Sequence, residues 1–506
     1  MQLKCCICAF FFVSLQRKSE DMLSQEQTIQ FTEYSGLYDI VVPQDHLLRR
    51  INSLIDFSFV YDELVSKYCK DNGRRAESPI RLFKYLLLKV IYDSSDADVV
   101  ERSMYDMSFK YFLGMTPEEK IINSSTLTKF RKLRLKDVGL LDMLIGKTVS
   151  IAIEHGIIKS NTIIVDATHS GSRSNPYTPL QILKLRSQQL RKCLYSNDET
   201  IKESLPVKND DDNLEHELAY TQALVEKVSE DEVLINIPKI KERLNMLKET
   251  LEDIQDHYTT SRDKDARIGH KTRDDQFFGY KTHISMTPER IIVGATVTSG
   301  DKGDGKQLPE LIAKTRQNGI DVDTVIGDTA YSGNSNLKQA KEEGFRIVAR
   351  LNPTISQGRR SENEKWEYNK DADMYVCPAG HMALRKSRIG RKNGKGNQTY
   401  TYFFDVEKCK TCSLREGCYK EGAKYKTYAV TILKDTQNDQ LEFQKTAEFK
   451  AAYKERYKIE AKNSELKNVF GYDRAESYGL DAMQMQGAIT MFAANVKRIL
   501  KLLDEA

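Results

Sequence analysis

The apolar residues of this chain change their spacing near Asn161, and that change limits the folds that the chain can adopt. Across residues 30–155 the apolar side chains recur at the three- and four-residue intervals of a buried helix face. Beyond Asn161, short apolar runs of strand length alternate with further helical stretches. This pattern predicts a helical N-terminal domain over residues 26–158, followed by a mixed α/β domain over residues 159–506.

The predicted secondary structure follows from these runs and from the residues that cap them. A helix is predicted to open at Ser78-Pro79, a second helix to cover 99–111, and a third to begin after Asn123. Residues rich in β-branched side chains predict the strands of a mixed sheet, with a hairpin around Pro288. The predicted strands cover 162–168, 277–285, 290–298, 324–327 and 346–351.

Two insertions interrupt the predicted sheet domain. Residues 171–262 carry apolar side chains in a four-three repeat, which is typical of coiled-coil-like helices. These helices can pack on one another or on a second protomer, and the presence of three such segments favours packing within the chain. Residues 353–445 form a second insertion, which is rich in cysteine and basic residues.

Three acidic residues occupy positions that suit chemistry on a phosphodiester. Asp166 and Asp328 each end an apolar run, and Glu460 lies in a helical stretch far downstream. At about 100° per residue, that stretch places Glu460 within roughly 60° of one phenol and two cations on a single helix face. The four residues on this helix face are Tyr453, Arg456, Glu460 and Lys467. Carboxylates hold divalent metals and cations hold phosphates, so the set predicts a phosphoryl-transfer site.

This constellation resembles the DDE transposases of bacterial insertion sequences, in the group with a Tyr-x2-Arg-x3-Glu-x6-Lys signature on the catalytic helix. The resemblance implies a ribonuclease H-like catalytic core. It also implies two Mg²⁺ (or Mn²⁺) ions held by Asp166, Asp328 and Glu460. Arg456 and Lys467 would then contact DNA phosphates, and Tyr453 would pack against or hydrogen-bond to the substrate.

The resemblance implies a cytoplasmic bacterial enzyme that acts on double-stranded DNA. It would bind the terminal inverted repeats of its element, as a homodimer on DNA, and would catalyse strand cleavage and transfer into target DNA. Two other hypotheses stay open: a transposase-derived DNA-binding protein without cleavage activity, and a ribonuclease H-like nuclease. Within the site, Glu465 competes with Glu460, and Asp301 and Asp304 either join the carboxylates or belong to an ordinary loop.

The charge distribution predicts local contact with nucleic acid. The net charge is only +4 although 30% of the residues are charged, so the overall balance does not identify a nucleic-acid-binding protein. Basic residues cluster in 129–136 and 384–395. We predict that Lys129, Arg131 and Arg134 contact DNA phosphates, the alternative being a packing domain that does not contact DNA.

Four of the nine cysteines form a cluster whose spacing suits a structural zinc site. The predicted ligands are Cys377, Cys409, Cys412 and Cys418, with His381 as a substitute for one of them. The alternative is a set of buried or free thiols. Three further cysteines lie in an apolar stretch within residues 1–25, which we interpret as a doubtful leader, with Met22 as the expected start codon.

Overall fold

The computed structural model describes residues 32–69, 76–209, 211–255, 261–271, 275–356, 365–390 and 397–505. The leader over residues 1–25, with Met22, lies outside them. The chain divides into two compact units, Met1–Leu140 and Leu141–Ala506, so the helix that starts at Leu140 groups with the second unit rather than with the 26–158 domain that we predicted. In the described ranges, no helix has the length and apolar character needed to cross a membrane.

The first unit consists of helices packed around aromatic and aliphatic side chains. Its helices are α1 (Leu37–Val41), α2 (Leu47–Leu54), α3 (Ser58–Leu64), α4 (Pro79–Ile91), α5 (Asp96–Arg102), α6 (Met107–Leu113) and α7 (Ser125–Leu133). The central helix is α4, in which Pro79 occupies the first turn and nearly every side chain is buried.

The prediction of one helix over 99–111 was wrong. The side chain of Asp106 accepts hydrogen bonds from the backbone N–H groups of Ser108 (2.9 Å) and Phe109 (3.3 Å), so a new helix starts there. An N-cap of this kind satisfies donors that a continuous helix would bond to its own carbonyls. The chain therefore turns between α5 and α6.

The second unit contains a mixed sheet, two smaller sheets and thirteen further helices in its described part. The strands are β1 (Thr162–Gly171), β2 (Arg267–His270), β3 (Gln276–Met286), β4 (Ile292–Ser299), β5 (Thr324–Ile326), β6 (Arg346–Val348), β7 (Glu367–Asn369), β8 (Met374–Val376), β9 (Arg385–Ile389), β10 (Thr399–Phe404) and β11 (Lys426–Thr431). The helices are α8 (Leu140–Glu154), α9 (Pro179–Asn197), α10 (Leu214–Ser229), α11 (Glu232–Ile235), α12 (Pro238–Gln255), α13 (Leu308–Gln317), α14 (Asn334–Glu343), α15 (Pro353–Ser356), α16 (Val406–Lys410), α17 (Asp435–Phe443), α18 (Ala447–Lys454), α19 (Tyr457–Phe470) and α20 (Leu480–Asp504).

The main sheet has the order β2-β3-β1-β5-β6, and β4 pairs with β3 as well. The pairs of β3 with β1, β2 and β4 are antiparallel, whereas β1, β5 and β6 run parallel. Aliphatic side chains in β1, β4 and β5 are almost fully buried, as expected for strands covered by helices on their faces. The observed architecture is mixed α/β, as predicted.

Helices α9, α10, α11 and α12 lie between β1 and β2 and bury one another. Their contacts involve Leu190, Leu224 and Leu244, each nearly inaccessible to solvent. The four-three repeat over 171–262 thus corresponds to packing within the chain. Val233, an apolar residue of this range, is instead 75% exposed.

Two backbone connections join the segment after α19 to the end of β1. The N–H of Gly171 donates to the carbonyl of Asp473 (2.8 Å), and the N–H of Ala475 donates to the carbonyl of Gly171 (2.8 Å). The hydroxyl of Ser170 also donates to the carbonyl of Tyr472 at 2.5 Å. The C-terminal end of α19 is therefore fixed to the strand that carries Asp166.

Candidate active site

Two of the predicted carboxylates lie at neighbouring strand ends. Ile164 of β1 pairs with Ile326 of β5 in parallel register, and Asp166 and Asp328 each follow two residues later. Asp328 accepts a hydrogen bond from the backbone N–H of Ala330 (2.9 Å), which fixes the turn after β5. The residue between β5 and Asp328 is Gly327, where a Cβ atom would lie 2.7 Å from the ring of Tyr331.

Both aspartates lie in surroundings that disfavour their charged forms. Burial raises the pKa of Asp166 to about 6, the N–H of Ala167 opposes this, and the charge of Asp328 adds to it. Burial also raises the pKa of Asp328, and the nearby carboxylate of Asp304 adds to that shift. Buried carboxylates that repel one another are a recurrent property of catalytic and metal-binding sites.

Helix α19 contacts this pair of strand ends through a residue that the sequence analysis missed. The side-chain amide of Asn463 donates to the carboxylate of Asp166 at 2.9 Å. Asn463 lies three residues after Glu460, about one helical turn along the same face. Asn463 falls within the Tyr-x2-Arg-x3-Glu-x6-Lys pattern at a position that this signature leaves unspecified, so only the spacing from Glu460 could have indicated it.

The predicted single helix from Tyr453 to Lys467 was wrong, because the chain breaks into α18 and α19 around Glu455 and Arg456. Tyr453 lies at the end of α18, where its ring stacks on Phe449 with the centroids 5.6 Å apart. Glu460 is in the first turn of α19 and pairs with Arg456, and its side chain is 53% exposed. Glu460 is thus held by Arg456, whose positive charge opposes the raised pKa of both aspartates.

Lys467 lies further along α19 against the ring of His169, which β1 carries three residues after Asp166. Its ammonium nitrogen is 3.3 Å from Nε2 and 3.4 Å from Nδ1 of that ring. Burial, followed by the positive charges of Lys467 and Lys271, lowers the pKa of His169 to about 4. The imidazole is therefore neutral at pH 7 and can accept a hydrogen bond from Lys467.

Glu465, the competing candidate, forms ion pairs with two cations within the protein. Its carboxylate lies 3.2 Å from the guanidinium of Arg290 and 2.9 Å from the ammonium of Lys462, whose side chain is fully buried. A buried ammonium requires such a partner. Glu465 therefore neutralises Arg290 and Lys462, and Glu460 stays the predicted metal-binding residue of this helix.

The four cysteines of the second insertion lie near the sheet formed by β9, β10 and β11. The sulfur of Cys377 accepts a hydrogen bond from the N–H of His381 (3.4 Å), and that of Cys412 accepts one from the N–H of Leu414 (3.3 Å). Burial raises the pKa of Cys409, and the charges of Cys418, Cys377 and Cys412 add to this shift.

In the described part of the chain, no three His, Cys, Asp or Glu side chains stand close enough together to hold a metal ion. Neither the carboxylates nor the cysteines form such a group. Asp166 and Asp328 are adjacent, Glu460 is paired with Arg456, and the thiols of Cys377, Cys412 and Cys418 lie around that of Cys409 without forming a ligand set.

Comparison with known families provides evidence that is independent of this geometry. Residues 376–500 match the family described as a transposase DDE domain, and this match includes Glu460. Residues 37–133 match the family described as a transposase domain (DUF772). Together these two matches support a DDE transposase of an insertion sequence. Among curated proteins, this transposase has no match.

Lys129 and Arg131 lie within the match to the transposase domain (DUF772), whereas Arg134 follows the last residue of that match. Arg131 forms an ion pair with Asp96, and Arg134 stacks over the ring of Tyr68 at 4.4 Å. Lys129 is exposed. Of the three predicted DNA contacts in this transposase, Arg131 and Arg134 thus have partners within the chain.

Proposed function

We propose that this transposase binds the terminal inverted repeats of its element and cuts and joins DNA strands in a reaction that requires divalent metal ions. The observation that carries the proposal is the position of Asp166 beside Asp328, with the helix of Glu460 bonded to Asp166 through Asn463. In the proposal, Glu460 turns toward these two aspartates, so that three carboxylates from distant segments form one site. This is the donor set that phosphoryl transfer with two metals requires.

The carboxylates suit Mg²⁺ or Mn²⁺, because both ions prefer oxygen ligands. Burial and mutual repulsion raise the pKa values of Asp166 and Asp328, and a divalent cation would relieve that repulsion. When bound, the metal ions would supply activation of the attacking oxygen and stabilisation of the leaving oxygen. Asp166, Asp328 and Glu460 are the proposed ligands.

Residues beside the carboxylates position the DNA backbone in this proposal. Lys467 lies against the neutral ring of His169 and forms no ion pair within the described residues, so its ammonium group can bind a phosphate. Arg456 becomes available for a second phosphate when Glu460 turns toward the aspartates. Tyr453, with the guanidinium of Arg350 4.9 Å from its ring centroid, provides a flat surface for the substrate.

We include a ribonuclease H-like core and a homodimer on DNA in the proposal. Support for the core comes from the strand order, in which antiparallel β1, β3 and β4 adjoin the parallel strands β5 and β6. The homodimer is proposed from the family resemblance. The helices α9 to α12 give it no support, because they are buried against one another.

We also propose that Cys377, Cys409, Cys412 and Cys418 hold a structural zinc ion. Backbone N–H groups that point at the sulfurs of Cys377 and Cys412 stabilise thiolates, the form that binds zinc. The grouping of the other three cysteines around Cys409 supports the same ligand set. The small sheets beside them bury few side chains, so an ion would add stability there.

The decisive experiment compares strand cleavage with DNA binding. Asp166→Asn, Asp328→Asn and Glu460→Gln should each reduce Mg²⁺-dependent cleavage of a terminal-repeat duplex by at least a hundredfold, because each removes a ligand. Retarded migration of the same duplex in Ca²⁺ should be kept. Glu455→Gln is the matched control, since Glu455 precedes α19 and pairs with Lys458 at the surface.

The alternatives give different results in the same assay. A DNA-binding protein without cleavage activity would retard the duplex but leave it intact in Mg²⁺ and in Mn²⁺. A nuclease would cut the repeat but would not join the cut end to a second duplex. Cleavage by Glu460→Gln at the wild-type rate would remove Glu460 from the site.

A further inference from the structure

The loop between β4 and α13 carries a carboxylate, Asp304, whose turn is packed against the turn of Asp328. The amide of Asn336 donates to the carbonyl of Gly305 (2.8 Å) and to that of Tyr331 (3.0 Å), which joins the two turns. The turns are so close that a Cβ atom on Gly305 would lie 2.1 Å from the carbonyl oxygen of Ala330. Asp304 is thus held beside the aspartates.

Strand β3 provides the present partners of Asp304. The carboxylate lies 3.0 Å from the ammonium of Lys281 and 3.8 Å from Nδ1 of His283. His283 pairs in register with Ala167, the residue after Asp166, so these groups adjoin the strand end that carries Asp166. The side chains of Lys281 and Asp304 are 15% and 26% exposed, which places the ion pair at the edge of the site.

Two buried polar groups at this place have no hydrogen-bond partner in the described part of the chain. One is the hydroxyl of Tyr331, a fully buried residue whose pKa burial raises, with the charges of Asp166, Asp304 and Asp328 adding to the shift. The other is Nδ1 of His283, which faces Asp304. An unsatisfied buried polar group destabilises the folded state, so its retention requires a reason.

We infer that Asp304 is a fourth carboxylate of the metal centre, which exchanges Lys281 for a divalent cation. The inference rests on the proposed function and extends it to a residue outside the Asp166, Asp328 and Glu460 set. Mg²⁺ and Mn²⁺ take six oxygen ligands and fill the positions that carboxylates leave open with water, so a fourth carboxylate can replace one of those waters. The hydroxyl of Tyr331 and the ring of His283 then find outer-shell hydrogen bonds, and Lys281 is released toward DNA phosphates.

The alternative is that Asp304 only neutralises Lys281. The two hypotheses predict different effects on metal binding when the ammonium group of Lys281 is removed. If Asp304 is a ligand, Lys281 competes with the metal, and Lys281→Met strengthens metal binding. If Asp304 only neutralises Lys281, the substitution leaves metal binding unchanged.

The test measures Mn²⁺ binding by the purified full chain without DNA. The electron paramagnetic resonance signal of free Mn²⁺ reports how much of the ion stays unbound. Asp304→Asn should weaken binding by about tenfold or more, and Lys281→Met should strengthen it. Asp301→Asn is the matched control in the same loop, because Asp301 bonds to Ser299 and Lys302 at the surface. Its Mn²⁺ affinity should equal that of the wild type.

Mn²⁺ binding by Asp304→Asn at the wild-type affinity would overturn the inference, as would unchanged binding by Lys281→Met. If Asp166→Asn and Asp328→Asn lose Mn²⁺ while Asp304→Asn keeps it, the inference fails and the proposed function stands. If all three variants bind Mn²⁺ like the wild type, the proposed metal centre itself fails. Should Asp304→Asn not fold, the tighter binding expected of Lys281→Met decides the matter.

Discussion

The acidic residue with the clearest energetic cost in the described site is Asp166. Its pKa is raised from 3.8 to about 6, so the folded chain binds this proton more tightly than the unfolded chain does. Stability therefore falls as the pH rises from about 4 to about 6, and the full cost is present above pH 6. In a site that binds cations, the metal ion offsets this loss of stability by neutralising the buried carboxylate.

Replacing this carboxylate should therefore stabilise the protein while abolishing its chemistry. Without metal at pH 8, Asp166→Asn should unfold at a higher temperature, with a gain of roughly 1–3 kcal/mol that shrinks toward pH 4. Calorimetry at both pH values measures this difference. The exposed Asp301→Asn should show no such gain, and an equal or lower melting temperature for Asp166→Asn at pH 8 would contradict the argument.

At the scale of elements, the sequence predicted those strands and helices whose signals are local. The aliphatic runs before Asp166 and Asp328 predicted β1 and β5, because three consecutive buried side chains indicate a strand covered on both faces. The break before α19 has no such signal, since Glu455 and Arg456 are good helix formers. The separation of α5 from α6 did have one, in the capping side chain of Asp106.

The basic helix α7 gives a test at this scale, because two of its cations have different surroundings. Lys129 is exposed, so Lys129→Ala should leave the melting temperature unchanged and lower the salt dependence of DNA binding by about one unit of slope. Arg131→Ala breaks the pair with Asp96 and should cost roughly 1–3 kcal/mol of stability. Titrations of DNA binding at several salt concentrations, with melting curves, separate the two effects. A change of slope for Arg131→Ala alone would show that Arg131 leaves Asp96 to contact DNA.

At the scale of the whole molecule, the site joins residues that are far apart in sequence. Asp166 meets Asn463, and the turn of Asp304 meets that of Asp328. The residue types and the family signature predicted three carboxylates, but no local pattern reports which other side chains reach them. Asn463 was missed for this reason. The ion pair between Glu460 and Arg456 differs, because its i,i+4 spacing is a local pattern that the sequence does contain.

The cysteine-rich insertion provides a prediction for the molecule as a whole, since it separates Asp328 from Glu460 in sequence. Purified protein should contain about one zinc per chain, and Cys409→Ser should lose it. Proteolysis should then cut the insertion before the main sheet, because the metal stabilises its own module first. Elemental analysis and limited proteolysis provide the measurements, with Cys193→Ser as a control from the helices outside the insertion. Zinc-free protein with full activity would leave these residues as ordinary thiols.

The hydrogen bonds between β1 and the segment after Phe470 hold α19 at its C-terminal end, so a tilt of this helix would pivot about that end. Lys467 lies close to this fixed end, and Glu460 lies about 10 Å further from it along the helix axis. Any tilt of the helix therefore swings the carboxylate through a much longer arc than the ammonium. In the proposed site, a phosphate bound to Lys467 would therefore keep its position while Glu460 approaches or leaves the two aspartates.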